Sequence, residues 1–254
     1  MLKIGIFGAS GRIGRLIIDE ILSAPNKLEI GAIFVRKELD FSLPEGSFVT
    51  NNIDEFIRCC DVIIDFSSPA ATQLLLKSLL HTPKPCVIGT TGLDDSQKSL
   101  MQEVSKKAPL LYATNMSIGI AFLNTIIANI AKALPNADIE ISEIHHRFKK
   151  DAPSGTALTL AESCAKARGF ALNEVMVTER KNERKPNEIG VVSLRGGDVS
   201  GRHTIGFYMD GEFLEFTHNA TSRKVFAKGA ITCALWLCDK APNLYSINQV
   251  LEVE

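Results

Sequence analysis

The fifteen residues EIHHRFKKDAPSGTA, beginning at Glu143, hold two imidazoles, His145 and His146, and three cations, Arg147, Lys149 and Lys150. Directly after Pro153, the residues Ser154, Gly155 and Thr156 open a helical pattern. The first N–H groups of a helix have no internal partner and carry the positive end of its dipole. Cations beside a helix start therefore make an anion site. Gly155 has no side chain to keep a ligand from the backbone. Two kinds of donor side by side suit a small molecule with two negative groups, such as a dicarboxylate. The histidines can move protons near neutral pH unaided, and Lys149 can do so with a lowered pKa. A charge run alone reads as a solvated basic turn. The paired histidines, the regular lysine spacing and the helix start together point to a reaction centre.

A second group of residues lies near the start of the chain. A short apolar strand over residues 3–7 leads into GASGRIG at Gly8, after which Ile13, Leu16, Ile17 and Ile21 recur at helical spacing. A further apolar strand follows over residues 28–35. Glycines between a first strand and an amphipathic helix form a dinucleotide site: the turn approaches the pyrophosphate, which rests on the helix N-terminus. The tip of the second strand reads the adenosine ribose. A carboxylate there bonds the 2′-hydroxyl of NAD, whereas an arginine accommodates the 2′-phosphate of NADP. Here the residues are Val35, Arg36 and Lys37, with Glu38 slightly later. The expectation is NADPH in preference to NADH, held by Arg36 with help from Lys37; the alternative is that both are ordinary loop cations.

These groups must be carried by a fold. Residues 38–52 read as an irregular connection and 54–59 as a short helix. Strands over 62–66, 85–88 and 110–113 alternate with helices over 69–80 and 94–107. Pro69 is placed early in the first of these helices, and Asp94 with Gln97 is a capping-box pattern in the second. Alternation of this kind implies a Rossmann-type, doubly wound parallel sheet, whose ligands lie beyond the carboxyl ends of the strands. The residues from Gly8 to Ile13, Arg36, Phe66 and Ser67, Gly89 to Thr91, and Ala113 to Met116 should then border one crevice. Residues 118–134 read as a long buried helix. From residue 139 a strand delivers His145 and His146, which point to opposite sides if strand geometry persists. Ala157, Leu160, Ala161, Cys164 and Ala165 mark one helix face, closed by Gly169. Strand-like runs at 189–194, 203–209 and 213–219 without intervening helices imply a smaller α+β domain with a mostly antiparallel or mixed sheet. Its open apolar face suits an oligomer interface. A helix over 222–239 should pack back on the first domain. The expected division is 1–116 with 222–254 for the dinucleotide and 117–221 for substrate binding and oligomerisation.

Composition narrows the function. The chain has 254 residues, 45% hydrophobic and 22% charged, with net charge −1. A globular core is expected; nucleic-acid or membrane-surface binding driven by bulk charge is not. The cysteines, Cys59, Cys60, Cys86, Cys164, Cys233 and Cys238, form no CxxC pair and read as reduced thiols of a cytosolic protein, not as a disulfide frame or a metal site. The first apolar run leads straight into the glycine loop, unlike a secretory leader. The uncharged stretch 108–131 contains Pro109, Asn115, Ser117, Asn124 and Asn129, and reads as strand, loop and buried helix, not as a membrane span.

With both groups in view, the sequence resembles the 4-hydroxy-tetrahydrodipicolinate reductase family, also called dihydrodipicolinate reductases. The resemblance covers essentially the whole chain. It is carried by GASGRIG at Gly8, DFSSP at Asp65, IGTTG at Ile88, ATNMSIG at Ala113, EIHHRFKKDAPSGTA at Glu143 and RGGDVSGRHT at Arg195. It implies NAD(P)H-dependent reduction of a cyclic dicarboxylate on the diaminopimelate and lysine pathway, in the cytoplasm, by a homotetramer. It places the family's proton-donating histidine on His145 and its lysine donor on Lys149. Substrate carboxylate contacts fall on His146, Gly155 and Thr156. Cofactor contacts fall on Gly8, Ala9, Ser10, Gly11, Arg12, Ile13 and Arg36, on Gly89, Thr90 and Thr91, and on Ala113, Thr114, Asn115 and Met116. Val35 departs from the pattern, since many members carry an acidic residue there. Two other readings compete. A semialdehyde dehydrogenase of the same plan needs an activated cysteine. A redox sensor that binds the dinucleotide without turnover needs no proton donors.

Overall fold

The computed structural model describes residues 1–23, 28–36 and 39–251. In chain order the elements are β1 (Leu2–Phe7), α1 (Arg12–Leu22), β2 (Leu28–Phe34), β3 (Val49–Thr50), α2 (Ile53–Arg58), β4 (Val62–Asp65), α3 (Pro69–Leu79), β5 (Cys86–Ile88), α4 (Asp95–Ser105), β6 (Leu110–Tyr112) and α5 (Ile118–Ala133). Then follow β7 (Asp138–His145), α6 (Gly155–Ala167), α7 (Leu172–Val175), β8 (Met176–Val177), β9 (Ile189–Arg195), β10 (Arg202–Met209), β11 (Glu212–Asn219), α8 (Lys224–Leu237) and β12 (Leu244–Tyr245). The chain divides into two units, Met1–Ile118 with Arg223–Glu254, and Gly119–Ser222.

The first unit is built on a parallel sheet of seven strands in the order β12-β6-β5-β4-β1-β2-β3. Its central strands are continuous apolar runs because both faces are covered: Val62, Ile63 and Ile64 of β4 have no exposed surface. Helix α1 turns Ile17, Ile18 and Ile21 inward, and α8 packs beside it as expected. Pro69 stands at the start of α3, where a missing N–H costs nothing. The Asp94–Gln97 box is formed in both directions, each N–H meeting the other side chain at 2.9 Å. The connection read as irregular contains β3 and ends at Asn52, the N-cap of α2. Two-residue strands such as β3, β8 and β12 carry no periodicity and escape a sequence reading.

The second unit holds a five-stranded sheet ordered β11-β10-β7-β9-β8. It is mixed, the second of the two arrangements expected: β7 pairs antiparallel with β10, but β9 runs parallel to both β7 and β8. Although β9 and β10 are consecutive, they are not neighbours; β7 lies between them. Helix α6 crosses between β7 and β8, so the return strands run parallel. Ile139 and Ile141 of β7, Ile189 and Val191 of β9, and Ile205 and Phe207 of β10 form one core with the buried face of α6.

Candidate active site

The core face of β7 ends in chemistry. Side chains alternate along a strand, so Ile139, Ile141, Glu143 and His145 share one face. Register sets Glu143 between Ser193 of β9 and His203 of β10, and pairs His145 with Arg195. Glu143 is fully buried. Arg195 reaches it with both terminal nitrogens, at 2.9 Å to Oε2 and 2.8 Å to Oε1. Ser154 N–H donates to Oε1 at 3.2 Å, and His145 Nδ1 lies 2.5 Å from Oε2. A carboxylate only accepts, so Nδ1 carries the hydrogen and Nε2 is left for another partner.

Electrostatics follow from this packing. Burial works against a charged Glu143, but hydrogen bonds from Arg195, His145 and Ser193 outweigh it and hold the carboxyl at about 2. Burial pushes His145 below the ordinary imidazole value; Glu143 opposes that, while Lys149 and Arg195 add to it by charge. Desolvation and two neighbouring cations therefore favour the neutral ring in the free protein. His203, left without a role by the sequence, packs edge-to-face on His145 with ring centroids 5.2 Å apart. Burial, then the His145 charge, pushes it down to about 4, so it adds no cation. Its Nε2 lies 3.1 Å from the Ser154 hydroxyl.

Strand geometry ends at His145. His146 begins a turn whose carbonyl accepts from Lys149 N–H at 3.1 Å, and its ring lies near Phe148. The Lys149 ammonium donates to both oxygens of Asp151 at 2.8 Å. Arg195 ties this turn to the strand row, donating to the carbonyls of Lys149 and Asp151 at 3.3 and 2.6 Å. Ser154 caps α6 by accepting from Ala157 N–H at 3.2 Å. Gly155 and Thr156 are the first two helical residues, and a Cβ added to Gly155 would meet no atom within 4 Å. The structure thus sets His145 beside Glu143, Lys149 on the turn that Arg195 holds, and Gly155 and Thr156 directly after Ser154, whose N–H bonds Glu143. Glu143, Ser154, Asp151, Arg195 and His203 were given no role by the sequence reading. The phase of β7, with Glu143 and His145 continuing the Ile139–Ile141 face, was the available signal.

In the first unit, a cavity of about 790 Å³ lies at the glycine turn, lined by Gly8, Ser10, Gly11, Arg15, Val35, Arg36 and Phe66 among others. Gly8 adopts φ 97°, and a Cβ there would come 2.4 Å from the Phe66 carbonyl oxygen. A Cβ on Gly14 would come 2.3 Å from the Gly8 carbonyl oxygen. Bare backbone at this turn, with the α1 N-terminus behind it, fits a pyrophosphate. Ala9 is buried within the turn, and Arg12 and Ile13 begin α1. Gly89, Thr90 and Thr91 follow β5, and Ala113, Thr114, Asn115 and Met116 follow β6, at the carboxyl ends of neighbouring strands. They are not among the described residues lining this cavity, and the Thr90 hydroxyl is turned to Asp65 at 3.2 Å. Asp40, absent from the sequence reading, borders the cavity and pairs with Arg15. Lys37 and Glu38 lie outside the described residues.

Cys60, Cys86, Cys164, Cys233 and Cys238 are not activated nucleophiles of the kind a semialdehyde dehydrogenase needs. Burial pushes the thiols of Cys60, Cys164 and Cys233 up to about 12, Cys238 to about 11, and Cys86 well above the ordinary range. Among the described residues, no helix is long and apolar enough to cross a membrane.

Comparison with known proteins agrees with both halves of the chain. A family model described as dihydrodipicolinate reductase, N-terminus, matches residues 2–116, and one described as dihydrodipicolinate reductase, C-terminus, matches residues 119–251. The 4-hydroxy-tetrahydrodipicolinate reductase of Helicobacter hepaticus is 57% identical over 256 residues, covering 100% of each chain. That of Wolinella succinogenes is 55% identical over 257 residues, again covering 100% of each. Among solved structures, a dipicolinate-bound dihydrodipicolinate reductase from Paenisporosarcina sp. TG-14 has a TM-score of 0.80 at 23% identity over 97% of each chain. An engineered D-amino acid dehydrogenase bound to NADP+ has a TM-score of 0.58 at 14% identity, over 100% of this chain and 96% of that one. These last two are likenesses of fold.

Proposed function

The chain belongs to the dihydrodipicolinate reductase family, and from that premise we propose how its residues carry out the reaction. It is an NAD(P)H-dependent oxidoreductase that reduces 4-hydroxy-tetrahydrodipicolinate in diaminopimelate and lysine biosynthesis. The observation that carries the assignment of residues is the row Glu143–His145–Arg195, with Lys149 and the α6 N-terminus beside it.

A dinucleotide held by its pyrophosphate at the glycine turn would supply hydride from its reduced nicotinamide to the ring left unsaturated when the 4-hydroxyl departs as water. The second unit does the rest. Gly155 and Thr156 at the helix start, with His146, take one carboxylate of the substrate; Lys149 meets negative charge on its other side. The dianion raises the pKa of His145, so the imidazole gains a proton as substrate binds. Glu143 keeps Nδ1–H fixed, and the added proton resides on Nε2, the nitrogen free to deliver it to the substrate carbon. Arg195 prevents Glu143 from taking that proton itself, because its paired hydrogen bonds favour the carboxylate.

Three finer assignments belong to the same proposal. NADPH is preferred over NADH: Arg36 is exposed at the cavity wall beside Val35, while the nearby Asp40 is engaged by Arg15. The protein acts in the cytoplasm. It assembles as a homotetramer through the outer face of the mixed sheet, where Val192, Leu194 and Phe213 are exposed. Loss of NADPH absorbance with freshly formed cyclic dicarboxylate tests the reaction, and the ratio of kcat/KM for the two nucleotides tests the preference. No oxidation of either nucleotide would reject the residue assignment, and a clear preference for NADH would reject the role of Arg36. Sedimentation of a monomer at micromolar concentration would reject the assembly.

A further inference from the structure

Asp65 is the last residue of β4, in register with Phe7 of β1 and Ile88 of β5, and is fully buried. Its donors are all uncharged. Oδ1 accepts from Ser67 N–H at 2.9 Å, the Ser67 hydroxyl at 2.6 Å and the Thr90 hydroxyl at 3.2 Å; Oδ2 accepts from the Thr72 hydroxyl at 2.5 Å. The Thr90 hydroxyl also accepts from Ser67 N–H at 3.0 Å. One carboxylate thus ties together the loop after β4, the first turn of α3 and the loop after β5.

The loop after β4 forms the wall facing the glycine turn. The Phe66 carbonyl is the group that excludes a side chain at Gly8, and Phe66, Ser67 and Ser68 line the same cavity as Gly8, Ser10 and Gly11. A buried carboxylate satisfied only by neutral donors is a costly way to fill a core position. Its cost is explained by what it orders.

We propose that Asp65 is a positioning residue of the cofactor site, whose ionised carboxylate holds the loops after β4 and β5 in the shape that receives the dinucleotide. This rests on the cofactor lying at the glycine turn. In the ionised state every hydrogen in the cluster points at an acceptor. Protonation adds one more hydrogen, and a hydroxyl must then reverse or turn away, which loosens the clamp. Burial raises the Asp65 pKa to about 6, against the pull of Ser67, Thr72 and Thr90. The Cys86 thiol of β5, which senses the Asp65 charge, is kept protonated by its own burial and does not change charge over this range. Cofactor affinity therefore falls as pH drops through the Asp65 pKa.

The test is the equilibrium Kd of NADPH for the intact protein, followed by nicotinamide fluorescence without substrate from about pH 5 to about pH 8.5. Asp65→Asn imitates the protonated carboxyl and is expected to weaken binding roughly 10-fold at about pH 8 and to flatten the acid limb. Thr72→Val removes the donor to Oδ2 and is expected to move that limb upward by about one pH unit. The 2′-phosphate of NADPH titrates in all three proteins alike, so the differences between them are what is read. An acid limb in the same place in Thr72→Val and wild type overturns the proposal, as does wild-type affinity in Asp65→Asn. If Asp65→Asn fails to fold, the Thr72→Val limb decides alone. Failure of the wild-type protein to bind either nucleotide overturns the cofactor reading itself, and this inference with it.

Discussion

Glu143 and Arg195 stand 52 residues apart in sequence, yet two guanidinium nitrogens meet the two oxygens of one fully buried carboxylate, at 2.9 and 2.8 Å. Paired, parallel contacts of this kind require arginine; lysine supplies charge without the fork. Arg195→Ala is expected to cost about 3–5 kcal/mol, because it strands a buried charge. Arg195→Lys should cost less in stability while lowering kcat about 10-fold, since Glu143 would then turn and release the His145 ring. Chemical denaturation and steady-state rates check both. A loss below about 1 kcal/mol in Arg195→Ala would mean that Glu143 finds other partners.

The same pair sets an acid limit on stability. Glu143 is held at about 2 against an ordinary value of 4.5, so the native state favours its ionised form. Its contribution is fully present above pH 4.5 and is lost as pH falls from there towards about 2. The stability gap between wild type and Glu143→Gln should therefore narrow through that window. Urea titrations at successive pH values measure it, and a constant gap would assign the stabilisation to something other than ionisation.

How much of this was legible in sequence follows from what is local. The glycine turn, the Asp94–Gln97 box and the start of α6 each depend on residues a few positions apart, and the structure forms all of them there. The partners of Glu143 do not: Arg195 and His203 come from β9 and β10, brought beside β7 by a register that periodicity cannot supply. The choice between an antiparallel and a mixed sheet stays open in sequence for the same reason. Consecutive strands suggest antiparallel neighbours, but β7 separates β9 from β10. His203 gains no role from sequence, because one imidazole in an apolar strand gives no hint of the ring it packs on. Asp65 was read as the end of a buried strand, and only the three segments converging on it reveal a node.

His145 has a pH signature distinct from a simple imidazole. The donor form is protonated, and burial with two nearby cations lowers the pKa in the free protein. The kcat/KM profile reports the free protein, so it should fall as pH rises through a value below 6.5, the ordinary imidazole value. The kcat profile reports the complex and should fall at higher pH, because the bound dianion raises the same group. His145→Gln should lower kcat by about 10²-fold or more with the fold intact, and remove both limbs. Coincident limbs in wild type would remove substrate charge from the account of protonation.

Lys149 and Asp151 separate a reacting group from its resting partner. Asp151 has a largely exposed side chain, so its hold on the ammonium is worth about 0–1 kcal/mol. A substrate carboxylate can displace it. Lys149→Ala should lower kcat by about 10²-fold, whereas Asp151→Ala should change KM by less than about 5-fold. Equal losses in the two variants would make the pair a structural clasp and take Lys149 out of the chemistry.

Gly155 tests the substrate end of the site most cleanly, because nothing in the protein itself forbids a side chain there. A Cβ would enter open space, and alanine is the better helix former. Gly155→Ala should therefore leave thermal stability equal to or slightly above wild type. If a carboxylate sits against the first turn of α6, the added methyl group occupies its approach, and substrate KM should rise about 10-fold or more while the Kd for NADPH is unchanged. Thr156→Val should likewise act chiefly on KM. An unaltered KM in both, with normal folding, would move the dicarboxylate away from the helix start and leave Lys149 and His146 as its remaining anchors.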